Sequence, residues 1–480
     1  MPKIKSSPNE YLAEFDRMPQ EERQIGRIRK SLEALAEFYG FEKISTSIVE
    51  NYRVFLPLLR AGVLGENLPV FGKTKVGAEI FLRPAGVLGV LRSYMSQKMN
   101  DLPHPLRFSF EGERYSLASH GHGSKIYSRP EWGIMMIGEE GPIAEAEIIQ
   151  VIWKAIHESG LDLGELALRV NATGCSVCRS SFRSSLNSYF RTRSGRMCKN
   201  CRRLSKRNPT KILLCEEEKC KVLFSHAPQV LDFLCEACKK HLRGFLEFLD
   251  EVGIAYFLDP KLFKDGSWFN TLIFEAVVRP KAAAPVEGEV IASTPQFIPP
   301  PSRIPHGLAA GTEGNLQSFP RGAEPHEKAG GFILAEGGRV SHAAEIMVGR
   351  RLDVASASFF FDTWVLMLAS ARNLVGKEEE RPKVFLTQLG ELAKRKSLVL
   401  LETLRKGGVG VRESLGRDSI KSQLTVAGRV GAEIALILGQ KEALDNTIIV
   451  REVSSGIQET IPQDKLIEFL KKKLKASPKN

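Results

Sequence analysis

Apolar residues near the start of the chain recur every three or four positions, which is the spacing of one helical face. Ile25, Ile28, Leu32 and Leu35 follow this spacing, and Gly40 stands where the helix would end. The pattern therefore predicts a helix over residues 21–38.

Short apolar runs with hairpin-length gaps dominate the next three hundred residues and are typical of strands. We predict strands at 41–46, 79–83, 105–110, 131–137, 166–171, 272–278 and 331–336. A helix is predicted from Ile143 to Ser159, with Gly160 as its C-cap. Strands in series with helices on one side indicate an α+β domain with an antiparallel sheet.

The last hundred residues have a different pattern, in which strands alternate with helices. "VFLTQL", "VGVRES", "AEIALILG" and "TIIVREV" predict strands, and residues 390–406, 419–430 and a lysine-rich C-terminal segment predict helices. This alternation indicates a small α/β domain over 383–480. Residues 376–382 are predicted to be a linker, and the Pro-, Ala- and Gly-rich residues 281–329 a flexible insertion.

Length and composition indicate a soluble protein of two or three domains. The chain has 480 residues, of which 43% are hydrophobic and 26% are charged. Its N-terminus has no apolar stretch typical of a secretory signal, and the most hydrophobic window, 355–369, is too short to span a membrane. We therefore expect a cytoplasmic protein with no membrane partner.

Positive charge is concentrated in one segment. The formal net charge is +12, and eleven Lys and Arg but no Asp or Glu lie between Arg179 and Lys211. A block of this kind favours a phosphate-rich partner such as nucleic acid, and a solvated basic surface is the alternative interpretation.

The cysteines indicate metal binding. All eight lie in four close pairs, namely Cys175 and Cys178, Cys198 and Cys201, Cys215 and Cys220, and Cys235 and Cys238. Two such pairs complete a tetrahedral site of four thiolates, so eight cysteines suffice for two structural zinc ions. Grouping the first four and the last four is the simplest arrangement, but interleaved pairs and buried cysteines without metal are alternatives. A catalytic zinc is not favoured, because it needs an open position.

Several motifs together resemble the histidyl-tRNA synthetases, which are class II aminoacyl-tRNA synthetases. "YGFEKISTSIVE" (39–50) is similar to the first class II motif, with Ser47 in place of a proline, and "LRPAGVLGVLR" (82–92) resembles the family's "LRPEGT" segment. The segment beginning "RFSFEGERYS" (107–116) resembles the second motif, and "LAEGGRVSH" (334–342) resembles the "AGGRYD" turn. "DSIKSQLTVAGRVGAEIALILG" (418–439) resembles the anticodon-binding domain, and the cysteine-bearing insertion resembles that of some bacterial members.

The resemblance implies adenylation of histidine by ATP and its transfer to tRNA, but five positions depart from the family's charged residues. The glutamate after "LRP" is replaced by Ala85, and the phosphate-binding arginine of the second motif by Ser116. Met135 stands where the next strand carries a glutamate, Lys264 where the family has the arginine of "RGLDYY", and Trp364 where the third motif has its arginine. Because one such preorganised charge lowers the barrier by about 3 kcal/mol, we expect no useful adenylation and no ATP binding.

Some charges in the same segments are candidates for a residual site. A shift of two residues would bring Arg114 into the second-motif position, and Arg129 or Glu131 could take part of the loop's role. Arg339 in the glycine turn is the fourth candidate. Met135 and Trp364 together would close the central cleft if both side chains point into it.

The resemblance divides the chain into a class II synthetase-like core (1–168 and 241–375), a cysteine-rich insertion (169–240) and an anticodon-binding-like domain (383–480). A homodimer formed through the helix 21–39 and the next strand is implied. The leading hypothesis is a catalytically silent protein that binds tRNA or another structured RNA. The candidate RNA-binding residues are Arg183, Arg191, Arg202, Arg203, Lys206, Arg417 and Lys421. An active divergent histidine–tRNA ligase, and a protein-binding regulator like the regulatory subunit of ATP phosphoribosyltransferase, are the alternatives.

Overall fold

The computed structural model describes residues 17–476, except for 65–69, 76, 78, 121–122, 160–164, 206–208, 216, 225, 261, 264–267, 280–331, 371–382 and 414–418. The chain forms two compact units, residues 1–374 and 375–480. The insertion predicted at 281–329 lies outside the described residues.

The first unit is built around one large sheet. Its elements in chain order are α1 (Pro19–Phe38), β1 (Glu42–Ile44), β2 (Val49–Asn51), α2 (Tyr52–Arg60), β3 (Val70–Lys73), β4 (Glu79–Leu82), α3 (Gly86–Ser96), β5 (Leu106–His120), β6 (Gly123–Ile137), α4 (Ile143–Glu158), β7 (Glu165–Gly174), α5 (Ser176–Thr192), α6 (Lys199–Leu204), α7 (Glu218–Phe224), α8 (Glu236–Glu251), β8 (Tyr256–Leu258), β9 (Asn270–Arg279), β10 (Phe332–Arg339), α9 (Ser341–Val348), β11 (Val354–Phe360) and α10 (Phe361–Ser370). The strands of the sheet lie in the order β1-β5-β6-β11-β10-β9-β7-β8, and only the edge strands β1 and β8 run parallel to their neighbours. The predicted α+β class with an antiparallel sheet is confirmed.

Both faces of this sheet are buried, whereas the sequence predicted helices on one side only. Successive residues of a strand point to opposite faces. Trp132, Ile134 and Met136 of β6 pack with α1, α4, α8 and α10, and this side is called the helical face. Met135 and Ile137 pack with α2, α3 and α9 on the other side, which is called the site face.

A small sheet of order β2-β4-β3 also covers the site face. Phe81 of β4 belongs to the same apolar cluster as Phe55 of α2 and Met135. The helices α5, α6 and α7 form the insertion between β7 and α8, and they enclose their own buried cluster around Phe182 and Phe190.

The second unit is an α/β domain, as predicted. It contains β12 (Val384–Gln388), α11 (Glu391–Lys406), β13 (Val411–Glu413), α12 (Ile420–Arg429), β14 (Ile434–Leu438), α13 (Gln440–Asp445), β15 (Thr447–Glu452), β16 (Gln458–Pro462) and α14 (Leu466–Ala476). The strand order is β13-β12-β14-β15-β16, with β12 parallel to both of its neighbours. The sequence did not predict α13 and β16.

Among the described residues, no helix is both long and apolar enough to cross a membrane.

Candidate active-site face and cysteine clusters

Two arginines lie side by side on the site face, because Arg114 of β5 is paired in register with Arg129 of β6. The Nη1 of Arg114 donates a hydrogen bond to Oε1 of Glu336 at 2.7 Å, and its Nε lies 3.9 Å from Oε2 of Glu131. The Nε of Arg129 donates to Oδ2 of Asp362 at 3.1 Å. Each guanidinium therefore already has a carboxylate partner within the protein.

Aromatic rings enclose these guanidinium groups. The Arg114 guanidinium lies 5.1 Å from the ring centre of Trp268 and 5.2 Å from that of Phe360, and Arg129 lies 3.4 Å from the same Phe360 ring. Burial opposes the charge of Arg114, but Glu336 and Glu131 outweigh burial and raise its pKa. Burial lowers the pKa of Arg129, which Asp362 opposes and Arg114 reinforces.

Charges of both signs meet in this network. Arg114 and Arg129 carry two positive charges, and Glu131, Glu336 and Asp362 carry three negative charges when ionised. A triphosphate would have to displace an internal carboxylate from an arginine before it could bind there.

Glu131 also serves the start of a helix. Its side chain is fully buried, and its Oε1 accepts a hydrogen bond from the backbone N–H of Gly86 at 2.5 Å. Ala85 precedes α3 as its N-cap and offers no side-chain acceptor. Because the first N–H groups of a helix favour negative charge, Glu131 fulfils the capping role that Ala85 cannot.

The remainder of the site face is apolar. Ala85 and Met135 are both buried in the cluster that contains Phe110 and Ile273. The ring of Phe110 lies so close to Gly133 that a methyl group at this glycine would collide with it. Two positions where the resemblance expects carboxylates are therefore parts of a closely packed core.

The other positions where the chain departs from the family are dispersed. Ser116 is exposed on β5 opposite Tyr127 of β6. Trp364 is buried on the helical face, with its ring 5.8 Å from that of Phe359, and so does not share a cleft with Met135. Lys264 lies outside the described residues.

Arg339 lies in a different network from Arg114 and Arg129. Its Nε donates to Oε1 of Glu145 at 2.8 Å and its Nη1 to the backbone oxygen of Glu139 at 2.6 Å. The Nε2 of His241 lies 2.8 Å from Oε1 of Glu145. Burial would raise the pKa of Glu145, but Arg339 and His241 outweigh burial and lower it. Arg339 thereby connects β10 to α4 and α8 instead of facing the site.

The eight cysteines form two groups, and the grouping is nested. Cys175, Cys178, Cys235 and Cys238 form the outer cluster, and Cys198, Cys201, Cys215 and Cys220 form the inner cluster. Within each cluster the four Sγ atoms lie within 4.8 Å of one another, so each could hold a metal ion. The simplest grouping expected from the sequence, the first four and the last four, is therefore wrong.

The geometry and protonation of these thiols fit a metal site. The Sγ atoms of Cys175 and Cys178 lie 3.5 Å apart, and those of Cys198 and Cys215 lie 3.9 Å apart. Both distances are close to the separation of about 3.8 Å between sulfurs in a zinc tetrathiolate. The backbone N–H of Cys201 lowers the pKa of Cys198 to about 7. Burial opposes ionisation of Cys175, yet the N–H of Cys178 and its neighbours lower the pKa of Cys175 to about 7. Burial raises the pKa of Cys178, Cys201, Cys220 and Cys238, so a metal ion would have to displace the protons of these thiols, whereas at least one thiol of each cluster ionises near neutral pH.

The candidate RNA-binding residues are at the surface where the structure describes them. The exposed residues are Arg183, Arg191, Arg202, Arg203 and Lys421. Lys206 and Arg417 lie outside the described residues.

Sequence reasoning missed Glu336, Asp362 and His241 as partners of the site and insertion residues. One signal was available for Glu336, since it is a single acidic residue within the apolar run "FILAEGG". A carboxylate within a buried strand requires a partner, but the run does not indicate that the partner is Arg114.

Comparison with known proteins agrees with this architecture. A family model described as "Histidyl-tRNA synthetase" matches residues 14–286, and one described as "Anticodon binding domain" matches residues 383–473. A histidine–tRNA ligase of Desulforamulus reducens is 26% identical over 442 residues, which cover 90% of this chain and 91% of the relative. A histidine–tRNA ligase of Caldicellulosiruptor bescii is 25% identical over 469 residues, covering 96% of this chain and 97% of the relative.

Solved structures have the same fold. The apo histidyl-tRNA synthetase of S. aureus superposes with a TM-score of 0.67 at 23% identity, covering 95% of this chain and 97% of that one. A Bacillus halodurans protein described as an ATP phosphoribosyltransferase regulatory subunit/histidyl-tRNA synthetase gives a TM-score of 0.57 at 14% identity, covering 92% of this chain and 99% of that one. The architecture is that of a class II aminoacyl-tRNA synthetase with an anticodon-binding domain. The chain belongs to the histidyl-tRNA synthetase family.

Proposed function

We propose that this chain is a catalytically silent member of its family that binds tRNA or another structured RNA. The observation that carries this proposal is the 2.7 Å hydrogen bond from Arg114 to Glu336. Arg114 is the arginine nearest to the second-motif position, and an internal carboxylate neutralises it.

The chemistry of adenylation supports this proposal. Formation of an adenylate needs positive groups that stabilise the charge developing on the phosphates, and these groups must be preorganised. Arg114 and Arg129 are each paired with a carboxylate of the protein itself. Ala85 and Met135 contribute no charge, and Glu131 is engaged with the start of α3. We assign no catalytic residue, and the degenerate catalytic positions are Ala85, Ser116, Met135, Lys264 and Trp364.

Binding of RNA is supported by the features that the chain retains. Exposed arginines lie on α5 and α6, and Lys421 is exposed on α12 of the anticodon-binding domain. Lysine and arginine gain affinity for RNA by neutralising phosphates and releasing counterions. This electrostatic contribution to RNA affinity does not require any group of the adenylation site, so RNA binding can persist without catalysis.

Zinc is the metal that fits both cysteine clusters. Four thiolates at tetrahedral spacing leave no open position, which is typical of structural zinc. The ion would supply stability by cross-linking distant parts of the chain. Cys175, Cys178, Cys235 and Cys238 would hold one ion, and the four cysteines of the inner cluster the second.

A homodimer joined through α1 and β1 is part of the proposal. Phe38 at the end of α1 is 81% exposed, so it offers one apolar side chain to such an interface. Sedimentation equilibrium of the full chain and of Phe38→Ser tests the dimer, which we expect to be weakened by this substitution.

An active histidine–tRNA ligase is the second candidate. The observation that favours it is the long match to proteins named histidine–tRNA ligase, with 90% or more of this chain covered. Their identity of about a quarter does not by itself require the same catalytic residues.

Two titrations test the proposal. Calorimetry with ATP and histidine should give no heat of binding with the silent protein and clear binding with an active ligase. Gel-shift titration with tRNA should lose affinity steeply between about 50 and 200 mM salt if phosphates provide the contacts. No affinity for RNA at low salt would contradict the RNA-binding function and would shift attention to a protein partner.

A further inference from the structure

The two cysteine clusters occupy different places in the insertion. The outer cluster lies where the insertion leaves and rejoins the sheet domain, and the inner cluster lies within the lobe formed by residues 182–233. We infer that metal in the outer cluster holds the insertion against the sheet domain, whereas metal in the inner cluster is required only for the fold of the lobe. This inference rests on the metal binding proposed above.

The outer cluster joins the two ends of the insertion directly. β7 ends at Gly174, and Cys175 immediately follows as the N-cap of α5. The returning chain reaches Cys235, the N-cap of α8, whose backbone N–H donates to Sγ of Cys178 at 3.1 Å. Gly174 has a φ of +70° and a Cβ there would collide with Cys178, so the turn into the cluster requires glycine.

Both ends are also fixed to the sheet domain. Cys178 and Cys238 pack with Ala172 of β7 in one small apolar cluster. His241, one turn after Cys238, is hydrogen-bonded to the buried Glu145 of α4. Arg339 of β10 donates a hydrogen bond to the same carboxylate. The outer cluster therefore packs directly against buried residues of the sheet domain.

The inner cluster has different surroundings. Cys198, Cys201 and Cys220 are buried among Phe182, Phe190 and other side chains of the lobe itself. The lobe also contacts the sheet domain through Phe263, whose ring lies 6.1 Å from that of Phe182, and through residues 230–233, which lie against β7. Loss of metal from the inner cluster would therefore remove a cross-link within the lobe and leave intact the outer cluster, where the insertion joins the sheet domain.

Arg179 provides a second distinction between the two clusters. A divalent ion with four thiolates carries a formal charge of −2, and a nearby cation offsets part of it. Arg179 is half-buried and directly follows Cys178 in α5, and its backbone N–H donates to the carbonyl oxygen of Cys175. Arg179 is thus a positioning residue for the outer metal.

Matched cysteine variants of the full chain test this inference. Cys235→Ser changes the outer cluster and Cys215→Ser the inner one, and both cysteines are more exposed than their buried partners. Native mass spectrometry should count two zinc ions in the unmodified chain and one in each variant. Hydrogen exchange should then accelerate around residues 172–179 and 235–241 in Cys235→Ser, and within 198–224 in Cys215→Ser.

The outcomes separate the two levels of the proposal. Absence of metal from the unmodified chain would overturn zinc binding and the inference together. If the unmodified chain binds two ions but hydrogen exchange changes in the same way in both variants, zinc binding stands and this inference is overturned. The tRNA titration tests the RNA-binding function independently.

Arg179→Met supplies a test that does not remove a ligand, with Arg191→Met on the same helix as its control. We expect a chelator to extract one of the two ions about 10-fold to 100-fold faster from Arg179→Met. Unchanged extraction from Arg179→Met, or equal acceleration in both variants, would contradict the positioning role.

Discussion

Arg114 and Glu336 form a hydrogen bond of 2.7 Å although 222 residues separate them in the chain. Their strands, β5 and β10, are not neighbours, because β6 and β11 lie between them. Strands are spaced by about 4.8 Å, so the two side chains meet by reaching towards each other over both intervening strands. This interaction gives the Arg114 guanidinium a counter-charge from within the protein.

Removing the carboxylate should destabilise the sheet domain. Glu336→Gln leaves Arg114 buried with the more distant Glu131 and Asp362 as counter-charges, and we expect a loss of about 1–3 kcal/mol of unfolding free energy. Denaturant unfolding followed by tryptophan fluorescence measures this, because all four tryptophans lie in the first unit. Glu140→Gln, which alters an exposed pair with Arg351, should cost less than about 0.5 kcal/mol.

Trp364 should act as a core residue. Because it is buried on the helical face, Trp364→Ala should lower the unfolding free energy by about 3–5 kcal/mol. Trp364→Arg should destabilise at least as much, since it would bury an unpaired charge. A stable Trp364→Arg variant with new affinity for ATP would contradict this placement.

The Glu145 network predicts a dependence of stability on pH. The pKa of Glu145 is lowered in the folded protein, so its stabilising contribution is present above the unfolded-state value of about 4.3 and is lost as the pH falls through the folded-state value. Glu145→Gln should therefore be less stable than the unmodified chain at neutral pH, and the difference should shrink on acidification below about pH 4. Thermal unfolding across this range provides the comparison, and a difference independent of pH would refute the prediction.

The basic insertion should account for part of the salt dependence of RNA binding. The double variant Arg202→Met and Arg203→Met removes two exposed cations, and the slope of log K against log salt should become shallower by about 1 for each phosphate that these arginines neutralise. Arg351→Met, which is exposed outside the insertion, serves as the control. Equal slopes for all three proteins would show that these arginines bind no phosphate.

Periodicity predicted most of the strands but only a minority of the helices, and it did not predict the faces to which their side chains point. β11 and α10 together form one apolar run from 354 to 370, in which a fully buried strand and the first turns of a helix cannot be told apart. Only the position of α10 over the sheet determines that the Trp364 ring lies on the face of the sheet opposite to Met135.

Spacing along the chain likewise predicted the cysteine pairs but not their grouping. A tight pair is a local feature, whereas the joining of Cys178 to Cys235 depends on β7 and α8 lying side by side. The hydrogen bond between Arg114 and Glu336 depends in the same way on strand order, which single-sequence patterns do not encode. Local chemistry was therefore predictable, and its long-range partners were not.

Histidine-dependent exchange of pyrophosphate into ATP tests the central claim most directly, because it reports adenylate formation without any requirement for tRNA. A histidyl-tRNA synthetase such as that of S. aureus serves as the positive control. We predict no exchange above background with this chain, even at saturating ATP and histidine. Exchange that requires histidine and disappears in Arg114→Met would contradict the account, because it would mean that Arg114 leaves Glu336 to bind the nucleotide.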